Sequence, residues 1–484
     1  MAAIPKSGFI ALNRFGFGAR GDGDLAAAAS DPRAFLLSEL AEPGAALLDG
    51  PGLQKSQPAL KAFFEEQDQR RLARQAMNEA AKAQQAPQTP PPAMAPDMTM
   101  QLPAGAPKPP PAPPSLEQAA YRAETMARVQ RALSARAGFV ERLVCFWSNH
   151  FCVSVSKGGP VRMLAGAYER EAIRPHVLGR FADMLKAVEQ HQAMIFYLDN
   201  QQSIGPNSRA GQNRNKGLNE NLAREILELH TLGVDGGYTQ ADVGALARII
   251  TGWTFVGREG KAGEPGAPVF LPNFHEPGAQ TLLAKTYAQD GRAQGLAALD
   301  DLARNPATAR HIAAKFARAF VADDPPPPLV ARLAKNFTDT GGDLRALAAT
   351  LVNADEAWSA PIGKLRSPYE FLVSAARATG FIPAQPQQII GLLNNLGQPL
   401  WAPPGPNGYS DASAAWATPE GMKARLDIAA RIAQRGGDAP DPLALLDQIA
   451  GAAAAPETRQ AIARAESRQQ GLTLLLMSPE MQRR

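Results

Sequence analysis

The sequence predicts a mainly α protein: a large multi-helix domain with long irregular loops and a helical-hairpin arm that carries a proline-rich loop. Apolar residues recur with the 3.6-residue period of amphipathic helices along most of the chain from residue 139 to residue 477, the last predicted helix being 457–477. Strand-like alternation is scarce, and aromatic residues make up only 6% of the sequence. The 42 glycines and 42 prolines among 484 residues exceed what a compact helical bundle needs, so long loops must separate the helices.

Composition divides the chain into three predicted units. Residues 1–58 form an N-terminal helical segment. Residues 59–137 form the helical arm, in which two long helices flank the segment 87–114. That segment contains twelve prolines in 28 residues and has almost no bulky apolar side chains, so we expect it to be disordered. Residues 138–484 form the main helical domain.

Charge and composition exclude several classes of protein. The formal net charge of +4 is too small to indicate a nucleic-acid-binding surface. The two cysteines, Cys145 and Cys152, cannot build a disulfide scaffold. No apolar run approaches the ~18 residues of a transmembrane helix, and the first residues show no signal peptide. We therefore expect no transmembrane segment, no nucleic-acid partner, and either a cytoplasmic protein or one exported by a route without a signal peptide.

Three stretches lack helical periodicity and are predicted to be long loops: 198–217, 253–292 and 397–418. Long loops on a helical scaffold are where binding and catalytic residues concentrate. The part 205–217 combines cations, amides and glycines and leads into a helix N-terminus, which suits a phosphate or carboxylate group. A mobile basic loop is the alternative interpretation.

The densest group of polar side chains lies in the predicted helix 219–232. At about 100° per residue, its polar face presents Asn221, Glu225, Glu228 and Thr231. Two carboxylates one turn apart can hold a divalent cation or work as an acid–base pair. This face is therefore a candidate metal or catalytic site.

The same helix also has a purely structural interpretation. Glu220 with Arg224, and Arg224 with Glu228, are spaced i,i+4 and would form ion pairs on a solvated helix surface. His230 lies on the apolar stripe, about 140° from Glu225. One helix cannot aim both side chains at one ion, so the position of His230 favours a hydrogen-bonded core histidine over a metal ligand.

Two further histidines could complete a site. His150 lies beside Asn149 at the end of the predicted amphipathic helix 139–151, and His275 lies in the loop Phe274–Gly278. The sequence contains no HExxH, CxxC, GxSxG or Walker motif. No known catalytic motif therefore indicates which reaction the protein would catalyse.

Several segments follow one another along the chain as they do in one bacterial family. They are Leu12–Gly18, Phe146–Phe151, Tyr197–Asn200, Gly205–Ser208, Asn219–Gly233, Asp235–Gln240, Thr251–Thr254, Pro306–Arg310, Ser367–Glu370, Gly397–Leu400 and Ser478–Arg483. Together they resemble the family catalogued as domain of unknown function 1800, and the string Asn219–Gly233 is very specific. The resemblance spans nearly the whole chain except the proline-rich insert. It implies a large, mostly helical bacterial protein and transfers no established activity.

One hypothesis is a metal-dependent enzyme with its site on the helix 219–232 and nearby loops. It would use one divalent metal ion, whose identity the residues leave open. The candidate ligands are His150, Glu225, Glu228, His230 and His275. The candidate catalytic or substrate-orienting groups are Asn149, Asn219, Glu220 and Asn221.

The other hypothesis is a non-catalytic export or assembly partner. Members of the resembled family often accompany a second family, domain of unknown function 1501, whose sequences resemble sulfatases and alkaline phosphatases. The resemblance thus implies a co-encoded partner of that kind, onto which the polar helix face would dock. The absence of a catalytic motif and the proline-rich arm fit this second hypothesis. Whether the protein is an enzyme is open at this point.

Deleting residues 87–114 should leave the thermal stability of the protein nearly unchanged, because a segment that buries no apolar surface contributes little to the folded state. The same composition should make this segment the first to be cut by proteases. Thermal unfolding of the full chain and of the deletion variant measures the effect. A melting temperature many degrees lower after the deletion would show that the segment packs.

Overall fold

A computed structural model of the chain describes residues 6–20, 23–84, 113–213, 217–381, 383–435 and 441–484. Helices account for 65% of these residues and strands for 4%, which confirms the mainly α fold class. Almost all of the predicted proline-rich loop, apart from Pro113 and Pro114, lies outside the described residues. In the described part of the chain, no helix is long and apolar enough to cross a membrane.

The α-helices follow one another along the whole described chain. They are Lys6–Ile10, Asp24–Ser30, Pro32–Ala41, Ser56–Gln84, Leu116–Ser134, Phe139–His150, Gly159–Tyr168, Phe181–Glu189, Gln192–Tyr197, Arg209–Asn213, Asn221–Glu225, Gln240–Ile249, Arg292–Arg304, Pro306–Phe320, Pro327–Asp339, Leu344–Asn353, Asp355–Ser359, Pro368–Thr379, Pro386–Asn395, Pro419–Arg435, Pro442–Ala450, Pro456–Ala463, Arg468–Met477 and Pro479–Gln482. The predicted helix 457–477 is thus two helices, with a break at residues 464–467.

Wider and tighter helical turns occur between these helices. The π-helices are Ala11–Phe15, Glu169–Ile173 and Ile226–His230. The 3-10 helices are Val155–Lys157, Arg174–His176, Asn200–Gln202, Pro272–Phe274, Ser413–Ala415 and Gly451–Ala453. Each of these π-helices directly continues an α-helix, which is the usual setting of such turns.

Two β-hairpins lie within the stretch 253–292, which the sequence predicts to be a loop. Trp253–Phe255 pairs antiparallel with Pro268–Phe270, and Gln280–Leu282 pairs antiparallel with Lys285–Tyr287. Each strand has three residues. Strands this short offer no alternation long enough to recognise in the sequence.

One hydrophobic core runs through all three predicted units. It includes Leu36 of the N-terminal segment, Phe63 and Leu133 of the arm, and Trp147 of the main domain, all buried. The predicted boundaries between the units stay predictions. The long helix Ser56–Gln84 contributes its first turns to this core, whereas its residues from 69 to 82 are exposed.

A buried network of ion pairs crosses this core. The carboxylate of Glu169 lies 2.8 Å from Arg128 Nε and 3.1 Å from Arg174 Nε. It also accepts hydrogen bonds of 3.0 Å each from the Ser148 hydroxyl and the Trp401 indole N–H. Burial alone would raise the pKa of Glu169, but Arg128 and Arg174 hold it below its ordinary value. Glu169 therefore joins three helical segments and the loop that carries Trp401.

Replacing Glu169 with glutamine should lower the free energy of unfolding by about 3–5 kcal/mol, because the buried Arg128 would lose the carboxylate with which it is paired and Arg174 would keep only Glu141. Asp339→Asn is the matched control: it breaks the exposed Lys335–Asp339 ion pair and should change stability by no more than ~0.5 kcal/mol. Denaturant unfolding of the three proteins measures both effects. Equal stability of the native protein and Glu169→Gln would show that the network contributes nothing net.

Candidate functional site

The predicted helix 219–232 changes its winding halfway along. It is α-helical over Asn221–Glu225 and continues as the π-helix Ile226–His230. The wider i→i+5 turn moves the later side chains away from the positions that a 3.6-residue wheel assigns to them. Thr231, predicted to lie on the polar face, is therefore completely buried, so that part of the wheel prediction is wrong.

The start of this helix holds three of the predicted catalytic residues. Asn219 Oδ1 accepts a hydrogen bond of 2.9 Å from the backbone N–H of Asn221, as an N-cap would. The Glu220 carboxylate accepts hydrogen bonds from Arg224 at 3.2 Å and from Gln240 Nε2 at 2.7 Å. Asn219, Glu220 and Asn221 together line a shallow, open depression of about 540 Å³.

The end of the helix holds a buried histidine–carboxylate pair. His230 Nδ1 lies 2.8 Å from Glu189 Oε1, and the two side chains are 1% and 0% exposed. The other carboxylate oxygen, Glu189 Oε2, is buried and has no hydrogen-bond partner among the described residues. The Glu189 carboxylate therefore orients the His230 imidazole and has no other hydrogen-bond partner among the described residues.

Two other histidines form hydrogen bonds to backbone carbonyls at the same end of the helix. His150 Nε2 lies 3.2 Å from the backbone oxygen of His230, and His311 Nε2 lies 3.1 Å from that of Leu229. A carbonyl only accepts, so both rings carry their proton on Nε2 and satisfy C-terminal carbonyls that the helix leaves unpaired. Burial lowers the pKa of His311 to about 4 and that of His150 well below its ordinary value, with Lys315 adding to both shifts.

The two predicted metal-binding carboxylates lie at the surface of the helix. Glu225 and Glu228 are both half-buried, and Glu228 accepts a hydrogen bond of 3.2 Å from the Tyr238 hydroxyl. Burial raises the pKa of Glu225 above its ordinary value; His230 offsets part of the rise and Glu228 adds to it. Glu225 is therefore a carboxyl group that holds a proton more readily than usual.

The remaining predicted residues are engaged elsewhere. His275 Nδ1 lies 3.0 Å from the backbone oxygen of Thr251, while its Nε2 is buried without a hydrogen-bond partner among the described residues. Asn149 donates through Nδ2 to the backbone oxygen of Tyr409 at 2.9 Å and accepts from its N–H at 2.8 Å. The Asn149 amide thus holds a loop in place.

Across the described residues, no group of three or more His, Cys, Asp and Glu side chains is placed to hold a metal ion. The five predicted ligands are therefore not assembled into one coordination shell. The geometry gives a reason, since His150 and His275 are each tied to a backbone carbonyl on a different segment. Metal binding itself stays a prediction.

In the loop 205–217, interpreted above as a candidate anion site, Asn207 binds a carboxylate of the chain itself, and residues 214–216 lie outside the described residues. Glu276 is 3% exposed and accepts hydrogen bonds from the backbone N–H of Asn207 at 2.9 Å and from its side-chain amide at 2.6 Å. A side chain at Gly205 would come within 2.6 Å of Glu276, so this close approach requires glycine. The described residues of this loop therefore form hydrogen bonds to a carboxylate of the protein itself.

The sequence patterns predict no functional role for Glu189 or His311. A signal for Glu189 exists, because it continues the apolar stripe of Met184, Leu185 and Val188 on the helix Phe181–Glu189. A carboxylate on an apolar stripe indicates a buried partner. Its identity as His230, 41 residues away, needs the tertiary structure.

The structure thus defines a mainly α protein. Three histidines and a buried glutamate lie together at the π-helical end of one of its helices. The chain matches the family model described as "Protein of unknown function (DUF1800)" over residues 10–483, and it belongs to this family. No curated protein and no solved structure matches it.

The histidines at the helix end should make the protein less stable in mild acid. His311 has a lower pKa in the folded chain, about 4, than its ordinary value of 6.5. Protonation therefore favours the unfolded chain, and the stability present above pH 6.5 is lost as the pH falls toward 4. His311→Gln keeps an N–H donor for Leu229 but does not titrate, so its stability should fall less over this range. Denaturant unfolding at several pH values tests this, and equal pH slopes for both proteins would contradict it.

Proposed function

We propose that the protein is an enzyme in which His230 transfers a proton while the buried Glu189 carboxylate holds its imidazole in place. The bond between His230 Nδ1 and Glu189, 2.8 Å long with both side chains at most 1% exposed, carries the proposal. Moving an ionised carboxylate from water into the protein interior costs free energy. A carboxylate bonded to Nδ1 fixes the orientation of the ring and raises the basicity of its other nitrogen, which is the arrangement of many catalytic histidines.

Glu225 supplies the second group for acid–base chemistry. Because Nδ1 of His230 is bonded to Glu189, proton exchange must use Nε2. The raised pKa of Glu225, which His230 influences directly, makes this carboxyl a suitable proton donor beside an imidazole base. Asn219 and Asn221, at the opposite end of the helix, would orient polar groups of a substrate in the open depression.

A metal-dependent form of this enzyme is favoured by one feature of the histidines. His150 and His275 each bond a backbone carbonyl through one ring nitrogen, and their other nitrogens, Nδ1 and Nε2 respectively, are buried without a partner among the described residues. Ligands of metal ions are commonly held in this way. Binding of a divalent ion by His230, Glu225 or Glu228 would then require these side chains to close around it.

The non-catalytic role as an export or assembly partner is favoured by the long helix Ser56–Gln84. Its outer half is exposed, including Leu72 at 59% and Met77 at 72%. A helix that presents apolar side chains to solvent can dock onto a second protein. In this alternative, that protein would be the co-encoded member of the domain of unknown function 1501 family.

Labelling with diethyl pyrocarbonate, which reacts with an unprotonated imidazole nitrogen, tests the enzyme proposal on the native chain. His230 should be labelled through Nε2, and Glu189→Gln should slow its labelling about tenfold because the ring loses its orienting carboxylate. Half-buried His176 serves as the internal reference in the same digest. Labelling of His176 without any labelling of His230 in the folded protein would show a sealed core histidine and contradict the proposal.

The same labelling measures metal binding. Zn²⁺, Mn²⁺, Fe²⁺ or Ca²⁺ bound at His230 should slow its labelling, and Glu225→Gln and Glu228→Gln should each remove this protection while keeping the fold. No protection by any of the four ions would exclude an ion at His230 and leave the metal-free acid–base form. A native-like unfolding curve for each variant is the control for folding.

A further inference from the structure

A second cavity, distinct from the site on the helix Asn221–His230, lies between the helices Phe139–His150 and Pro306–Phe320 and the loop 397–416. Its volume is about 120 Å³, room for several waters or one small ligand. We call it the arginine cavity. Aromatic side chains and a few charged groups line it together, including Phe146, Phe320, Trp416, Arg142, Arg484 and Asp411.

The wall of the arginine cavity contains more buried positive charge than negative charge. Arg142 and Arg484 are 3% and 4% exposed, and they share one carboxylate, Glu370, at 3.1 and 2.9 Å. Arg366 and Arg425, at most 1% exposed, lie behind them and interact electrostatically with the same Glu370. Among the described residues, Glu370 is the carboxylate that forms ion pairs with these arginines, and Asp411 interacts electrostatically with Arg142 and Arg484, so four buried guanidinium groups face two carboxylates.

The other hydrogen bonds of these arginines go to neutral groups. Arg142 donates to the backbone oxygen of Gly16, and Arg484 donates to those of Ala319 and Phe320. Arg366 Nη1 is buried and has no partner among the described residues. Buried charges are normally matched by a counter-ion, so this arrangement lacks negative charge.

The backbone of Trp401, which also lines the cavity, is strained. Its φ angle is +48°, in the left-handed region that bulky residues rarely adopt. The indole N–H bond to Glu169 and the hydrogen bond from Val155 N to the Trp401 oxygen, 3.0 and 2.8 Å, hold this conformation. Strain of this kind is commonly retained where it shapes a binding site.

We propose that the arginine cavity binds a small oxyanion, a carboxylate or phosphate group, with Arg142 and Arg484 as its anchoring charges. The ligand would supply the negative charge that the four arginines lack. The aromatic lining would contact the apolar part of a compact organic acid, and the volume of about 120 Å³ suits a small ligand. This inference does not depend on the acid–base role of His230.

The side chain of Asp411 provides a test of the sign of the ligand's charge. It lines the cavity, and burial raises the pKa of its carboxyl group against the effects of Lys315, Lys364 and Arg484. An ionised Asp411 would repel an oxyanion and attract a cationic ligand. The variant Asp411→Asn should therefore bind an oxyanion as tightly as the native protein or more tightly.

Thermal unfolding of the full chain with phosphate, acetate or benzoate, compared with chloride at equal ionic strength and pH, tests the proposal. At least one oxyanion should raise the melting temperature in a saturable way. Ala319→Met, which fills the cavity without changing the arginines, should weaken binding about tenfold or more. Ala314→Met is the control, being half-buried on the same helix and outside the cavity lining.

Each outcome decides the proposal. Stabilisation by phosphate alone or by the carboxylates alone supports it and identifies the oxyanion. No stabilisation beyond that of chloride overturns it, as does equal binding by native protein and Ala319→Met. Weaker binding by Asp411→Asn would show that Asp411 holds a cationic group, which also overturns it.

Discussion

The rest of the structure depends on the ion pairs and hydrogen bonds of the Glu169 carboxylate. This carboxylate is fully buried and binds Arg128 and Arg174, which come from different helical segments. Its remaining bonds reach Ser148 and Trp401. The charges in this network are satisfied only when all of these segments are in place, because an unpaired buried charge costs several kcal/mol. Glu169 therefore selects one arrangement of helices that apolar packing alone would leave less specific, and it also holds the strained Trp401.

The helix Asn221–His230 is positioned by a different kind of constraint. Its π-helical end leaves carbonyl groups that need donors, and His150 and His311 supply them. Burial and the nearby Lys315 lower the pKa of both rings, whereas their hydrogen bonds to the backbone carbonyls partly offset this shift. Of the three histidines, His230 is the one whose bond goes to a carboxylate, Glu189. The difference in partner separates the proposed catalytic histidine from its structural neighbours.

Local sequence signals predict the elements of this fold well and their pairing poorly. The helix period gives the mainly α class, and Asp31 and Thr239 cap the helices that follow them. His230, predicted on an apolar stripe, is buried. The 3.6-residue period does not indicate the π-helical turn, and the pairing of His230 with Glu189 leaves no local signal because their two helices meet only in the folded chain.

The segment Ser148–Cys152 connects the two proposed sites. Ser148 binds Glu169, and Asn149 binds the backbone of Tyr409 on the loop that covers the arginine cavity. His150 turns the other way and binds the backbone of His230. Because each of these side chains bonds a fixed group, changing one would disturb both sites through the backbone. Variants at Ala319 and at Glu189 leave this segment intact, so they separate oxyanion binding in the arginine cavity from proton transfer at His230.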